Sequence, residues 1–267
     1  MTVIDKGQGS PIVVVPSLQG RWEYLSPAID ALARSHRVIT FSLSAARGLD
    51  VLADQLEAAL NDRKLERATI LGISFGGRVA LRFAARRPER TSALILVSVP
   101  GPRFRMKRSH RVYARYPRLF APLFFAAMPA RVWSELAAAV PDSRARRAFA
   151  KWQLRTFVRA PLSPSQMAAR ALLIDGMDTA VDCANVTAPT LIVSGEPRLD
   201  YVVPSDGTIE YARMIAGARS VTLKGTGHLG SITKPEAFAT LVGDFLGAQE
   251  SLSHDGLHGD TETRRAL

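Results

Sequence analysis

The sequence contains a single cysteine, Cys183, in 267 residues, so no disulfide can form within the chain and no pair of thiols can bind a metal. Its apolar runs stay well short of the roughly 20 residues that a membrane-spanning helix needs. The first nine residues lack the apolar segment of a secretory signal. These absences favour a globular, cytoplasmic protein, and a content of 47% apolar and 22% charged residues is typical of that class.

Acidic residues are scarce in one long segment. Between Arg103 and Arg170 there are fifteen Lys or Arg residues but only two acidic ones, Glu135 and Asp142. The formal charge of this segment is therefore +13, whereas that of the whole chain is +11. A solvated helix face is the simplest explanation. Basic side chains interspersed with apolar ones also suit an anionic membrane surface or an acidic ligand. Nucleic-acid binding is not favoured, because no recognised binding motif accompanies the charge.

Strand and helix patterns alternate in the rest of the chain. Short apolar, β-branched runs predict strands, and runs with apolar residues at helical spacing follow most of them. The predicted strands are 3–5, 11–15, 37–43, 68–71, 92–99, 190–194 and 220–223. This order predicts an α/β fold with a mostly parallel sheet and helices on both faces.

Residues 101–182 interrupt this alternation. No strand pattern is found there, and helices are predicted near 106–116, 118–127, 130–139, 142–159 and 165–175. We therefore predict a core of residues 1–100 and 183–247, with 101–182 inserted as a helical lid. The last helix is predicted over 234–246. The polar segment 248–267 has little apolar content and is predicted to be a disordered tail.

Residues 71–77, Leu-Gly-Ile-Ser-Phe-Gly-Gly, contain the pattern G-x-S-x-G between a predicted strand and a predicted helix. In that context the pattern places a serine on a sharp, strained turn. Side chains at positions 72 and 76 would collide with the crossing helix and strand. The turn therefore presents Ser74 as a candidate nucleophile near the amino end of a helix, where negative charge is favoured.

With this turn, the segments Ser-Gly-Glu-Pro-Arg-Leu-Asp-Tyr-Val-Val-Pro at 194–204 and Gly-Thr-Gly-His at 225–228 complete a familiar pattern. The chain resembles the α/β-hydrolase superfamily, in its branch of lidded esterases and small-molecule hydrolases, to about residue 246. The resemblance implies Ser74 as nucleophile, Asp200 as acid and His228 as base, in the chain order that this fold uses. It also implies a small-molecule substrate, with no metal or organic cofactor.

The residues support the base more directly than the acid. Of the five histidines, only His228 lies in a short loop that follows a predicted strand and contains glycines. Asp200 lies five residues after Gly195, whereas the family places the acid three residues after this glycine. Two extra residues must therefore be accommodated, and Glu196 and Asp206 remain alternative acids.

An oxyanion hole consists of backbone N–H groups, which residue types constrain only weakly. The Phe75 amide directly follows the nucleophile and is one predicted donor. The loop at 16–20, Pro-Ser-Leu-Gln-Gly, departs from the His-Gly that relatives often have there. Because proline has no N–H, Leu18 is the best second donor and Ser17 the next.

These residues predict a serine hydrolase that cleaves a carboxylic ester or related acyl bond in a small, mostly apolar substrate through an acyl-enzyme. C–C bond hydrolysis, lactone opening, acyl transfer and perhydrolysis remain open, as does a non-catalytic or peripheral membrane-binding relative. The aromatic and apolar side chains of the lid have two alternative predicted roles, either to line an acyl pocket over Ser74 or to pack the lid onto the core. These side chains are Phe104, Tyr113, Tyr116, Phe120, Phe124, Phe125, Met128, Trp133, Phe149, Trp152 and Phe157.

Overall fold

The computed structural model describes residues 3–45 and 47–263. Its strands are β1 (Val3–Lys6), β2 (Pro11–Val15), β3 (Arg37–Phe41), β4 (Ala68–Ile73), β5 (Thr91–Val97), β6 (Thr190–Ser194) and β7 (Arg219–Thr222). They form one sheet in the order β1-β3-β2-β4-β5-β6-β7, and every neighbouring pair is parallel except β1 with β3. The predicted α/β class with a mostly parallel sheet is confirmed.

Helices fill most of the remaining described chain. They are α1 (Ser26–Leu32), α2 (Leu49–Asp62), α3 (Phe75–Arg86), α4 (Arg108–Arg115), α5 (Pro117–Ala139), α6 (Ser143–Arg159), α7 (Pro164–Ile174), α8 (Ala180–Asn185), α9 (Ser205–Met214), α10 (Gly230–Thr233) and α11 (Pro235–Thr263), with 3-10 turns at Trp22–Leu25 and Pro88–Arg90. None of the described helices is sufficiently long and apolar to span a bilayer.

Both faces of the sheet are buried, because successive residues of a strand point to opposite faces. In β2, Val13 and Val15 pack in one hydrophobic cluster with residues of α2, α3 and α9. Ile12 and Val14 pack in the other cluster, with residues of α1 and α11. The uniformly apolar strands are therefore explained by helices on both sides of a parallel sheet.

The lid between β5 and β6 contains α4 to α7, and α8 leads back to the core. The structure has one continuous helix, α5, where the sequence predicts two. Pro122 and Pro129 lie inside α5 and are exposed, so water can satisfy the carbonyl groups that lose their N–H donors. The predicted lid boundary at 182 falls inside α8.

The last helix extends further than the sequence predicts. Its first half is held by buried side chains, including Phe238 and Phe245. In the structure α11 continues to Thr263, through most of the segment 248–267 that was predicted to be disordered. Extending a helix that is already packed needs no new nucleus, and no proline follows Pro235 in the chain. Residues 264–267 lie outside the described part of the chain.

Candidate active site

Ser74 forms the sharp turn between β4 and α3, with φ 54° and ψ −119°. A positive φ is uncommon for a residue with a side chain and costs about 1–3 kcal/mol, so the surroundings must hold it in place. The Ser74 amide donates to the Val97 carbonyl (2.8 Å), and the Gly77 amide donates to the Ser74 carbonyl (2.9 Å). The turn is thus fixed by the neighbouring strand and by the first turn of α3.

Two glycines allow this turn to pack closely. A Cβ atom at Gly76 would overlap the carbonyl oxygens of Val15 and Pro16, and one at Gly72 would overlap the backbone at Gly76 and Gly77. The turn can therefore approach β2 only because these positions lack side chains.

The three side chains of the predicted triad meet at the carboxyl ends of the strands. The His228 Nε2 lies 3.1 Å from the Ser74 Oγ, and the His228 Nδ1 lies 3.4 Å from the Asp200 Oδ2. The side chains of His228 and Asp200 are 11% and 1% exposed. The three side chains are thus aligned and largely buried, in the arrangement that a Ser-His-Asp mechanism requires.

The backbone fixes the orientation of the Asp200 carboxylate. Its Oδ1 accepts from the amides of Val202 (3.0 Å) and Val203 (2.8 Å), which leaves Oδ2 for His228. The two extra residues before it are taken up in a turn, in which the Leu199 and Asp200 amides donate to the Glu196 carbonyl.

The alternative acids have other surroundings. The Glu196 carboxylate accepts from the Gly225 amide (2.6 Å) and pairs with Arg198 (2.9 Å). Asp206 lies exposed in the first turn of α9. Of the three candidates for the acid, Asp200 is the one that contacts the imidazole of His228.

The surroundings of His228 raise its pKa above the ordinary value. Burial acts in the opposite direction, because it penalises the charged imidazolium. The hydrogen bond and charge of Asp200, together with the charge of Glu135, outweigh that effect. An imidazole that binds a proton readily is suited to remove one from a serine hydroxyl.

The two predicted oxyanion donors line the same cavity as Ser74. Phe75 is the first residue of α3, so its amide has no carbonyl partner within the helix. Leu18 lies in the loop after β2, and both residues border a cavity of about 210 Å³ above Ser74. Both residues thus lie at the cavity that contains Ser74, and their role as oxyanion donors stays a prediction.

The cavity separates the lid side chains into three groups. Phe149 and Trp152 pack against a core cluster, and Tyr116, Trp133 and Phe157 are exposed. The lid aromatic and methionine side chains that line the cavity are Phe104, Met106, Tyr113, Phe120, Phe124, Phe125, Met128 and Met167. His110 and Arg131 also border the cavity, whose lining is otherwise mostly apolar.

Two buried charged residues of the lid contact the site, and sequence reasoning missed both. Glu135 of α5 accepts from the amides of Gly227 and Leu229, on either side of His228. Arg170 of α7 donates to the carbonyl of Leu18 (3.1 Å). The one feature of the sequence that pointed to Glu135 is that it is one of only two acidic residues between Arg103 and Arg170, a segment with fifteen basic ones.

Comparisons with known proteins agree with this architecture. A model described as "Alpha/beta hydrolase family" matches residues 12–241. A 2-hydroxymuconate semialdehyde hydrolase of Pseudomonas sp. (strain CF600) is 30% identical over 91% of this chain and 88% of its own length. A pimeloyl-[acyl-carrier protein] methyl ester esterase of Nitrosomonas europaea is 26% identical over 83% of this chain and 88% of its own.

The fold is also found among solved structures. The enol-lactonase from Burkholderia xenovorans LB400 superposes with a TM-score of 0.73 at 23% identity, covering 92% of this chain and 96% of the enzyme. The matched family model spans every strand of the sheet but the edge strand β1, together with the lid and the positions of Ser74, Asp200 and His228. The chain therefore belongs to the alpha/beta hydrolase family of enzymes.

Proposed function

We propose that the protein is a serine hydrolase that cleaves a carboxylic ester, or a related acyl bond, in a small and mostly apolar substrate. The main support is the contact of 3.1 Å between His228 Nε2 and Ser74 Oγ at the base of the apolar cavity. A serine hydroxyl becomes an effective nucleophile when an adjacent base takes its proton.

In the proposed reaction, the Ser74 Oγ attacks the substrate carbonyl carbon while its proton passes to His228 Nε2. The amides of Leu18 and Phe75 stabilise the negative oxygen of the tetrahedral intermediate. His228 then protonates the leaving alcohol, and the acyl group remains on Ser74. Water, deprotonated by His228, attacks this acyl-enzyme and releases the carboxylic acid, while Asp200 stabilises the imidazolium in both halves of the reaction.

Other reactions of the same three side chains stay open, because a fold does not select one chemistry. C–C bond hydrolysis is favoured as the second candidate by the 30% identity to a protein named for semialdehyde hydrolysis. Lactone opening, acyl transfer and perhydrolysis would use the same nucleophile. Covalent labelling by a fluorophosphonate probe would separate all of these from a non-catalytic binding protein.

The size and apolarity of the cavity predict a dependence on acyl chain length. For p-nitrophenyl esters, each methylene buried in the cavity is worth about 0.8 kcal/mol. We therefore expect kcat/KM to rise about fourfold per methylene from acetate upward, and to fall once the chain exceeds the cavity. Steady-state rates with a graded ester series measure this. Flat rates, or rates equal to those of a Ser74→Ala variant, would contradict the proposal.

The outer lid surface supports a second role, contact with an anionic membrane. We define this surface by its exposed apolar residues, Leu119, Leu123 and Trp133 of α5 and Leu154, Phe157 and Val158 of α6. Phe125 and Phe157 are in ring contact, so the two helices are adjacent. Arg147, Lys151 and Arg155 are exposed on α6, and within the described chain none lies within ion-pair distance of a carboxylate. Apolar side chains among unpaired basic ones suit the surface of anionic lipid.

Replacing Arg147, Lys151 and Arg155 with glutamine should weaken binding to phosphatidylglycerol vesicles about 100-fold, since each basic residue near such a surface contributes about 1 kcal/mol. Co-sedimentation at low salt measures this. A control with the same charge loss replaces Arg213, Arg219 and Lys224, which are exposed on the core, and should bind nearly as the wild type. Equal loss in both variants, or dimerisation through the lid without vesicle binding, would contradict the membrane role.

A further inference from the structure

Glu135 is a lid residue whose carboxylate lies against the loop that carries His228. Its Oε1 accepts from the Gly227 amide (2.9 Å) and from the Leu229 amide (2.5 Å), the residues on either side of His228. The residue is 1% exposed, although it belongs to a lid helix with many exposed positions. A buried carboxylate that receives two backbone N–H groups is a strong interaction, because both donors would otherwise be unpaired.

The two halves of the histidine loop are held by different parts of the molecule. The core holds the first half, since the Glu196 amide donates to the Thr226 carbonyl (2.7 Å) and the Gly225 amide donates to the Glu196 carboxylate (2.6 Å). At Gly227 the loop also approaches the backbone of Leu199 so closely that a Cβ atom would overlap it. The amides that flank the imidazole itself are bound from the lid, by Glu135.

We propose that Glu135 is a positioning residue for His228, so that the imidazole adopts its reactive position only when the lid is seated on the core. This inference rests on the proposed serine-hydrolase function. The carboxylate acts in two ways, through its two hydrogen bonds to the loop and through its negative charge near the imidazolium. The first fixes where the ring lies, and the second favours its protonated form.

The electrostatics agree with that arrangement. Burial raises the pKa of Glu135, while the two backbone hydrogen bonds and the charge of His228 lower it, and the net direction is upward. In turn, the charge of Glu135 contributes to the raised pKa of His228. Because His228 must be neutral to act as a base, loss of this charge should extend activity to lower pH.

Two substitutions separate the hydrogen bonds from the charge. Glu135→Ala removes both, and we expect kcat for p-nitrophenyl esters to fall about 100-fold with little change in KM, as for a misplaced catalytic group. Glu135→Gln keeps an acceptor oxygen but no charge. Its kcat should stay within about fivefold of the wild type, while the acid limb of its kcat/KM profile moves to lower pH. The matched control is Asp142→Ala, which removes an exposed lid carboxylate that caps α6.

Amide hydrogen exchange and NMR titration test the same inference without turnover. In Glu135→Ala, exchange at Gly227 and Leu229 should accelerate, whereas exchange at Glu196 and Gly225, whose amides are bound within the core, should not. Wild-type kcat, an unmoved His228 titration and unchanged exchange would overturn the inference. If the alanine variant does not fold, the titration of Glu135→Gln decides. A wild-type protein inert toward esters and fluorophosphonates would contradict only the proposed function, and the exchange and titration would still decide the role of Glu135.

Discussion

Replacing Ser74 with alanine should lower kcat for p-nitrophenyl esters by about 10⁴- to 10⁶-fold, as loss of the nucleophile does in other enzymes with this triad. The Ser74 Oγ, which lies 3.1 Å from His228 Nε2, is the atom that would carry the acyl group. Without it, the cavity and the amides of Leu18 and Phe75 still bind substrate and stabilise negative charge. Some activity should therefore remain, because water can still attack the bound substrate directly, without an acyl-enzyme.

Intact-protein mass spectrometry after fluorophosphonate treatment measures the same variant independently of substrate choice. The wild type should gain one adduct, and Ser74→Ala none. Ser92→Ala is the matched control, because Ser92 lies at the amino end of β5, away from the carboxyl ends where the triad meets. An adduct on the Ser74→Ala protein, or wild-type turnover by it, would place the nucleophile elsewhere.

Local patterns made the sheet and the nucleophile turn predictable. The run Ile12 to Val15 has only β-branched residues, and such a sequence is stable mainly as a strand buried on both faces. The turn at Ser74 depends on glycines a few residues away, so its requirements are visible within one short segment. The resemblance to the α/β-hydrolase superfamily then implied that Ser74, Asp200 and His228 should meet.

Contacts across long separations in the chain were not predictable in this way. Glu135 and Gly227 are 92 residues apart, and Arg170 and Leu18 are 152 apart. No spacing rule relates such positions, because they depend on how the lid packs on the core. For the same reason, the sequence could not show which aromatic side chains line the cavity. Phe124 borders the cavity, whereas Trp133 of the same helix is exposed.

The second large effect is expected for Asp200→Asn, which should lower kcat by about 10³- to 10⁴-fold by reversing the tautomer of His228. The Val202 and Val203 amides bind Oδ1 of the carboxylate, so the carbonyl oxygen of the new asparagine should take that place. Its NH₂ group then faces His228 Nδ1, which must accept instead of donate. The neutral imidazole therefore carries its proton on Nε2 and cannot take one from Ser74.

Matched variants of the two alternative acids make this prediction specific to Asp200. Glu196→Gln should reduce kcat much less, because its contacts are the Gly225 amide and Arg198, at the edge of the histidine loop. Asp206→Asn should leave kcat nearly unchanged, since Asp206 is exposed at the start of α9. Steady-state kinetics of the three variants decide the assignment. If Glu196→Gln had the lowest kcat of the three variants, Glu196 would have to reach His228 through a rearranged turn at 196–200. The present geometry would then not be the reactive one.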